Sequence, residues 1–280
     1  MPRILLVTKT PLARRLASED LDRLRRSRAI DPERLAAAAA HHQDTLDAVR
    51  AVLAGDVVVE RSVEDLRPHD ADDVSLVITV GGDGTVFTAN TLNTTAPFLT
   101  VNSDPSSSIG HFTRARCETV AAMLARWRSG AARIEAVPRL DVRVGERRWR
   151  ILNDCLLSSH NPAAMTRYLL DVDGRSEHQR SSGVWVATAA GSTAAIHSAG
   201  ADPVEPHLPA LLFRVREPFQ SQAPASILAG NQLPPRGLAL TPSIPGVALY
   251  IDGPNITVPL PPGTTARFSA AIDPLMLVAG

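Results

Sequence analysis

Three glycines, Gly81, Gly82 and Gly84, surround a single carboxylate, Asp83, and Thr85 follows them. Glycine permits positive φ and lets the backbone approach a ligand closely. Val86 to Asn90 read as the start of a helix, whose free N–H groups favour an anion. The turn therefore suits a phosphate, and an acid inside it needs a reason. A second constellation lies at Gly191, Ser192 and Thr193, where a strand gives way to small residues as far as Gly200. Small side chains leave a hollow, and hydroxyls with N–H groups near a helix start bind phosphate or ribose. Leu152-Asn153-Asp154 is a third, with polar side chains at a strand end. Each has a plainer reading: an Asx-capped turn, close helix packing, and a simple turn.

The elements that must position these residues follow from periodicity. Residues 76–80 are apolar or β-branched without alternation, as in a strand buried on both faces. Residues 4–7 and 57–60 are further strands, and 97–101 is a strand ending at Asn102. Helices are expected over 11–28, from the Asp31-Pro32 cap to Gly55, over 86–93 and over 117–129, with a helical turn at 63–67. His41 and His42 lie on the second helix; adjacent helical positions diverge, so a solvated face is preferred to a metal pair. Strand–helix alternation predicts a parallel sheet with helices on both faces. Ligands sit beyond the carboxyl ends of such strands, which makes the glycine loop and Asn102 candidates for one crevice.

From Arg139 the pattern changes to short alternating runs. Residues 140–144 and 148–152 flank Gly145-Glu146 as a hairpin, and strands follow at 168–172, 184–188, 211–215, 247–251 and 256–259. The expected organisation is an α/β domain over 1–136, an all-β domain over 137–265 and a tail, 266–280, returning to the first. Residues 220–246, with five prolines, read as an extended loop.

At 280 residues the chain has ample core, and 44% hydrophobic with 21% charged residues fits a soluble globular protein. The 29 basic residues balance 29 acidic ones, which argues against nucleic-acid binding by bulk charge. Lys9 is the only lysine and no Gly-x-x-x-x-Gly-Lys occurs, so a P-loop lysine is excluded. Cys117 and Cys155 lack zinc-site spacing and are expected to be reduced thiols in the cytoplasm. No apolar run approaches the ~20 residues of a membrane helix, and nothing reads as a signal peptide.

Taken together, Gly81–Thr85, Asn102, Asn153-Asp154, Ala190-Gly191-Ser192-Thr193-Ala194 with Ser198-Ala199-Gly200, and Tyr250-Ile251-Asp252-Gly253 resemble the NAD kinase family over nearly the whole chain. Ala195 stands where the family has tyrosine, Ala189-Ala190 where it has Pro-Thr, Ser182 where it has an acid and His111 where it has phenylalanine. The stretches 101–105, 108–111, 161–164, 180–183 and 215–218 are similar to the plant-type NADH kinases, a branch that shares these departures.

The resemblance implies a two-domain fold and transfer of the γ-phosphoryl of ATP to the 2′-hydroxyl of the adenosine ribose of NAD(H). It makes Asp83 the base and puts Gly81, Gly82, Gly84 and Thr85 along the triphosphate. Mg²⁺ accompanies the ATP, and no metal-ligand set of side chains is expected. Asn153 and Asp154 hold adenine and ribose groups. Gly191, Ser192, Thr193, Ala194, Ala195 and Ser198 line the dinucleotide pocket, with Asn102 and Asp252 in the same binding set and Ser182 near the nicotinamide. A hydroxyl at 182 removes a carboxylate that favours the positive nicotinamide of NAD⁺, so the preference is expected to move toward NADH. A homodimer follows by analogy, with no nucleic-acid or membrane partner.

Two rivals stand beside this reading. A lipid kinase of the diacylglycerol or sphingoid type shares the glycine motif and two-domain plan, but gives no reason for Asn153-Asp154 or Gly191–Thr193. It also calls for a membrane-docking amphipathic helix that the sequence lacks. A catalytically weak NAD(H)-binding sensor is allowed by Ser182 and Ala195 and opposed by the intact Asp83.

Overall fold

The computed structural model describes residues 2–106, 108–220, 224–254 and 256–280. The chain forms two units, Met1–Glu135 with Met276–Gly280, and Ala136–Leu275.

The first unit alternates strands and helices: β1 (Arg3–Thr8), α1 (Leu12–Arg15), α2 (Ser18–Arg26), α3 (Pro32–Val52), β2 (Val57–Ser62), β3 (Leu76–Gly81), α4 (Asp83–Asn90), β4 (Phe98–Asn102), β5 (Ala115–Arg116), α5 (Val120–Arg128) and β6 (Arg133–Val137). The sheet runs β2-β1-β3-β4, then the chain's last strand (Leu275–Ala279), then β6, with β5 beside β4. The pairs β1–β2, β1–β3, β3–β4 and β4–β5 are parallel. Every residue of β3 is buried, as its unbroken apolar run requires. Leu46 and Val49 of α3 and Val120 and Leu124 of α5 pack with Ile4, Leu6, Ile78 and Leu99 in one core. Full burial of side chains such as Ile78 and Leu99 contributes about 1.5–3 kcal/mol each.

Four local expectations change. The single helix over 11–28 breaks at Leu16 and Ala17, both extended, because Ser18-Glu19-Asp20 starts a new helix with acids in its first turn. The turn expected at 63–67 is followed by a 3₁₀ helix at Pro68–Ala71, where proline takes the first position. The helix after the glycine loop starts at Asp83, not Val86, and α5 starts at Val120. Among the described residues no helix is long and apolar enough to cross a membrane.

The second unit contains β7 (Leu140–Val144), β8 (Arg147–Ile151), β9 (Asp154–Ser159), β10 (Thr166–Val172), β11 (Arg175–Ser181), β12 (Gly183–Thr188), a 3₁₀ turn (Ala190–Thr193), α6 (Ala195–Ser198), β13 (Leu211–Arg216), β14 (Ala229–Gln232), β15 (Leu238–Pro242), β16 (Val247–Ile251), β17 (Ile256–Pro259) and β18 (Ala266–Ala270). They form two antiparallel sheets, β11-β10-β15-β18-β7-β8 and β14-β13-β12-β9-β16-β17. Tyr168, Leu240 and Phe268 of the first sheet and Val186, Phe213 and Leu249 of the second belong to one buried core.

The segment 220–246 is no continuous extended loop. It supplies β14 and β15, and β15 joins β10 to β18; residues 221–223 lie outside the described residues. Likewise 266–270 is not part of the returning tail. It pairs with β7 and β15 as β18, and only β19 (Leu275–Ala279) enters the first sheet.

Candidate active site

The glycine loop leaves the carboxyl end of β3 between β1 and β4. The Lys9 N–H donates to Val80 O (3.1 Å) and the Ser103 N–H to Gly81 O (3.1 Å), so both neighbours grip the start of the loop. Gly81 lies in register with Asn102, which brings together the two residues expected to share a crevice. A Cβ on Gly81 would fall 2.0 Å from Thr85 Oγ1, so only glycine lets the buried Thr85 fold back over the loop. A Cβ on Gly84 would meet nothing within 4 Å. That glycine leaves the first turn of α4 bare to an incoming group.

Asp83, half-buried, is the first residue of α4, with Gly82 as N-cap. Its Oδ2 accepts the His111 N–H (2.9 Å) and its Oδ1 the Phe112 N–H (2.8 Å). Both donors are backbone groups, so histidine in place of phenylalanine at 111 leaves this arrangement intact. Phe112 is buried and meets Phe87 of α4 edge-on at 5.4 Å, which anchors the donor turn to the acid's own helix. Asn102 holds the same loop: its Nδ2 donates to Ser108 O (3.3 Å) and its Oδ1 accepts the Asp104 N–H (3.0 Å).

His42 is not on a solvated face. With Thr45, Leu46 and Val49 it forms the buried stripe of α3, while His41 next to it is exposed. Its Nε2 lies 3.1 Å from Thr8 Oγ1 and its Nδ1 3.0 Å from Ser103 Oγ. Burial, aided by Lys9 and Arg14, pushes its pKa down to about 4, so the ring is neutral and offers one donor and one acceptor. It ties the end of β1 to the residue after β4, on either side of the glycine loop.

In the second unit, the turn between β8 and β9 carries Asn153 and Asp154. Asp252, buried and at φ 48°, accepts the N–H groups of Leu152 (2.8 Å), Asn153 (2.8 Å) and Asp154 (3.2 Å). Its own N–H donates to Asp154 O (2.8 Å). Burial raises the Asp252 pKa to about 7 against the pull of these N–H donors. Burial also raises Asp154 to about 6, opposed by the Asn153 amide. Thr188, which the sequence reading passed over, closes the turn from the other side: its Oγ1 donates to Leu152 O (2.8 Å) and accepts the Gly191 N–H (3.0 Å). A Cβ on Gly191 would sit 2.0 Å from Asn153 O, so glycine is required there.

The other expected pocket residues are placed differently. No long helix follows Gly191; the chain makes a 3₁₀ turn and then the four-residue α6. The Ser192 hydroxyl is buried and accepts the Val204 N–H (3.0 Å). Thr193 and Ser198 are exposed, and Ala194 and Ala195 half-buried. Ser182 precedes β12 whereas Gly191–Ala195 follow it, so the six-residue strand, about 20 Å long, separates them.

A family model described as the ATP-NAD kinase N-terminal domain matches residues 8–131. A probable NADH kinase of rice is 30% identical over 257 residues, covering 82% of this chain and 78% of that protein. An NADH kinase of Arabidopsis thaliana is 32% identical over 235 residues, 72% of each.

The chain belongs to the NAD kinase family. Among solved structures it shares its fold with yeast NADH kinase complexed with NADH (TM-score 0.74, 18% identity, covering 100% of this chain and 84% of that one). The same holds for an NAD kinase from Archaeoglobus fulgidus in complex with ATP (TM-score 0.70, 19% identity, 99% and 93%). Neither the lipid-kinase nor the sensor reading finds support among these relatives. Within this NAD kinase, Thr188, His42 and the N–H groups of His111 and Phe112 were the residues that motif reading missed. Their signal is positional: Thr188 ends β12, the two N–H groups lie on the turn facing Asp83, and His42 packs from α3 against the residue that ends β1 and the one that follows β4.

Proposed function

We propose that this NAD kinase family member transfers the γ-phosphoryl group of ATP to the 2′-hydroxyl of the adenosine ribose of NADH and of NAD⁺, giving NADPH and NADP⁺. The observation that carries the reading is the Asp83 carboxylate, oriented by two backbone donors at the first turn of α4 beside a bare Gly84. A carboxylate has about four acceptor sites, and these two bonds leave capacity for a substrate hydroxyl. Asp83 takes the proton of the 2′-hydroxyl as its oxygen attacks the γ-phosphorus and ADP leaves. A positioned base contributes typically ~10²–10⁴-fold. The remaining work of phosphoryl transfer is positioning and charge stabilisation.

Gly81, Gly82, Gly84 and Thr85 receive the triphosphate through backbone N–H groups. Among the described residues no three carboxylate, imidazole or thiol ligands converge. On this reading Mg²⁺ is carried by ATP oxygens and water, and when bound it supplies the positive charge that no lysine in this loop provides.

We assign the donor to the first unit and the dinucleotide to the second. Asn153 and Asp154 bind adenine and ribose groups, and Thr193, Ala194, Ala195 and Ser198 line the pocket. Gly191, Ser192, Asn102 and Asp252 hold the turns in shape, and Ser182 faces the nicotinamide end. The reading includes a cytoplasmic homodimer, supported by the family resemblance and by two free cysteines.

The test is purified protein with Mg-ATP and either NADH or NAD⁺, followed by enzymatic detection of the 2′-phosphorylated product. Product formation that disappears in Asp83→Asn is expected. No product above that control would overturn the reading.

A further inference from the structure

The outer face of the sheet β11-β10-β15-β18-β7-β8 carries a row of charge that folding alone does not explain. Register fixes the row. Arg148 of β8 lies opposite Arg143 of β7, Arg143 opposite Arg267 of β18, Arg267 opposite Ala239 of β15, and Ala239 opposite Asp171 of β10. Successive strand residues point to opposite faces, so with Val142, Phe268, Leu240 and Leu170 in the core these residues point away from it. Three arginines thus stand side by side on strands about 4.8 Å apart, and like charges directly opposite one another are destabilising. Arg148 has an acid to offset it, Asp141 Oδ2 at 3.6 Å. Arg143 and Arg267 are exposed, and among the described residues neither has a hydrogen bond or an ion pair.

The row borders a hollow with a fixed rim. A cavity of about 560 Å³ is lined by Arg143 and Arg267 on one side and by Asp171, Asp173 and Arg236 on the other. This is within the ~300–1,000 Å³ common for small-molecule sites. The short side chain of Ala239 leaves the floor open between Arg267 and Asp171. Asp173-Gly174, at φ 55° and 76°, turns the chain from β10 to β11, and Arg236 clamps the turn through Nε to Oδ1 (2.9 Å) and Nη2 to Oδ2 (2.7 Å) of Asp173. Gln232, 2% exposed, locks the clamp: its Oε1 accepts the N–H groups of Arg236 (2.9 Å) and Gly237 (3.0 Å), and its Nε2 donates to Gly237 O (3.0 Å). A charge balance follows. Arg236 offsets Asp173 and Arg148 offsets Asp141, so two unmatched arginines remain against one half-buried acid, Asp171. Oδ2 of that acid accepts the Ser176 hydroxyl.

We propose that this hollow binds a phosphate dianion, free or at the end of a small phosphorylated molecule, between Arg143 and Arg267. Guanidinium groups match phosphate oxygens bidentately, and a dianion between two of them turns the repulsion along the row into attraction. Asp171 stands two strands beyond Arg267, about 10 Å along the row, where it accepts a hydroxyl of a phosphorylated polyol. Every residue of the site lies in the second unit, and the proposal is independent of the kinase reading.

The test reads single arginines in the whole protein. Phenylglyoxal modifies accessible guanidinium groups, and mass spectrometry locates the products. Inorganic phosphate and glucose 6-phosphate are the probes, with sodium chloride at matched ionic strength as control. Modification of Arg143 and Arg267 is expected to slow at least about fivefold with either probe, as a bound dianion covers them, while the exposed Arg26 of α2 is unaffected. Equal protection by the two probes assigns the site to free phosphate. Stronger protection by glucose 6-phosphate, with the advantage lost in Asp171→Asn, assigns it to an ester; either result supports the proposal. No protection, or the same protection from sodium chloride or at Arg26, would overturn it. Thermal melting supplies the second arm. In phosphate-free buffer Arg267→Gln is expected to melt about 1–2 °C above the unaltered protein, since a facing like charge is gone. At saturating phosphate the order reverses, because the variant has lost a ligand contact. An equal phosphate-induced rise in both proteins would place the anion elsewhere and sink the proposal.

Discussion

Each unit holds a carboxylate against backbone N–H groups, and the two are put to opposite uses. Asp83 accepts two such donors, from His111 and Phe112, and stays half-exposed beside a glycine whose missing side chain leaves space. Asp252 accepts three, from Leu152, Asn153 and Asp154, and is buried. In the proposed mechanism the same bond type aims an acid at a reacting group in one place and braces a binding turn in the other. Remaining acceptor capacity and access to solvent separate the roles; residue type does not.

The comparison breaks most visibly at Asp83. Asp83→Asn is expected to lower kcat by at least ~10²-fold, at a stability cost of only about 1–2 kcal/mol from one impaired backbone bond, read by product formation and thermal melting. Asp252→Ala is expected to do the reverse. It leaves buried N–H donors unpaired and should cost about 3–4 kcal/mol of stability, seen as a large fall in denaturant midpoint. A well-folded Asp252→Ala protein with only a raised KM for dinucleotide would make Asp252 a substrate ligand and erase the distinction.

A smaller effect lies with Asp154, whose pKa burial raises to about 6. In its proposed role at the ribose the ionised carboxylate is the strong acceptor, so binding is strong above that value and weakens as the pH falls through it. KM for NAD⁺ is expected to rise about tenfold between pH 7 and pH 5, and the inflection to vanish in Asp154→Asn. Smallest is Ser182→Asp. Its restored charge, screened by solvent, is expected to shift the ratio of kcat/KM values for NAD⁺ over NADH upward by a few-fold, ~1 kcal/mol. A clear NAD⁺ preference in the unaltered protein would remove the reason for this change.

The sequence exposes what depends on local pattern. The apolar run of β3 and its glycine turn are legible because both arise within eleven residues, 75–85, and the parallel sheet follows from strand–helix alternation. Features made by distant pairing are hidden. β11, Arg175–Ser181, is wholly polar and is a strand because β10 pairs along its whole length. β14 and β15 lie among prolines that read as loop, yet β15 joins two strands of its sheet. His42 looks solvated beside His41 because helical spacing alone does not reveal that Thr8 and Ser103 wait on its inner side. At the site, motif residues were legible by type, whereas Thr188 and the donors of Asp83 become visible only when the turns are closed.

The strand that lies between β4 and β6 is β19, the last of the chain. During synthesis β1 to β6 therefore emerge with a place left open between β4 and β6, and it is filled only by residues 275–279. The second unit is continuous, Ala136–Leu275, and has all of its strands before then. Domains usually fold in the order in which they leave the ribosome. Here the unit that starts first is finished last, and the sheet that carries Asp83 is completed only after the second unit has been made.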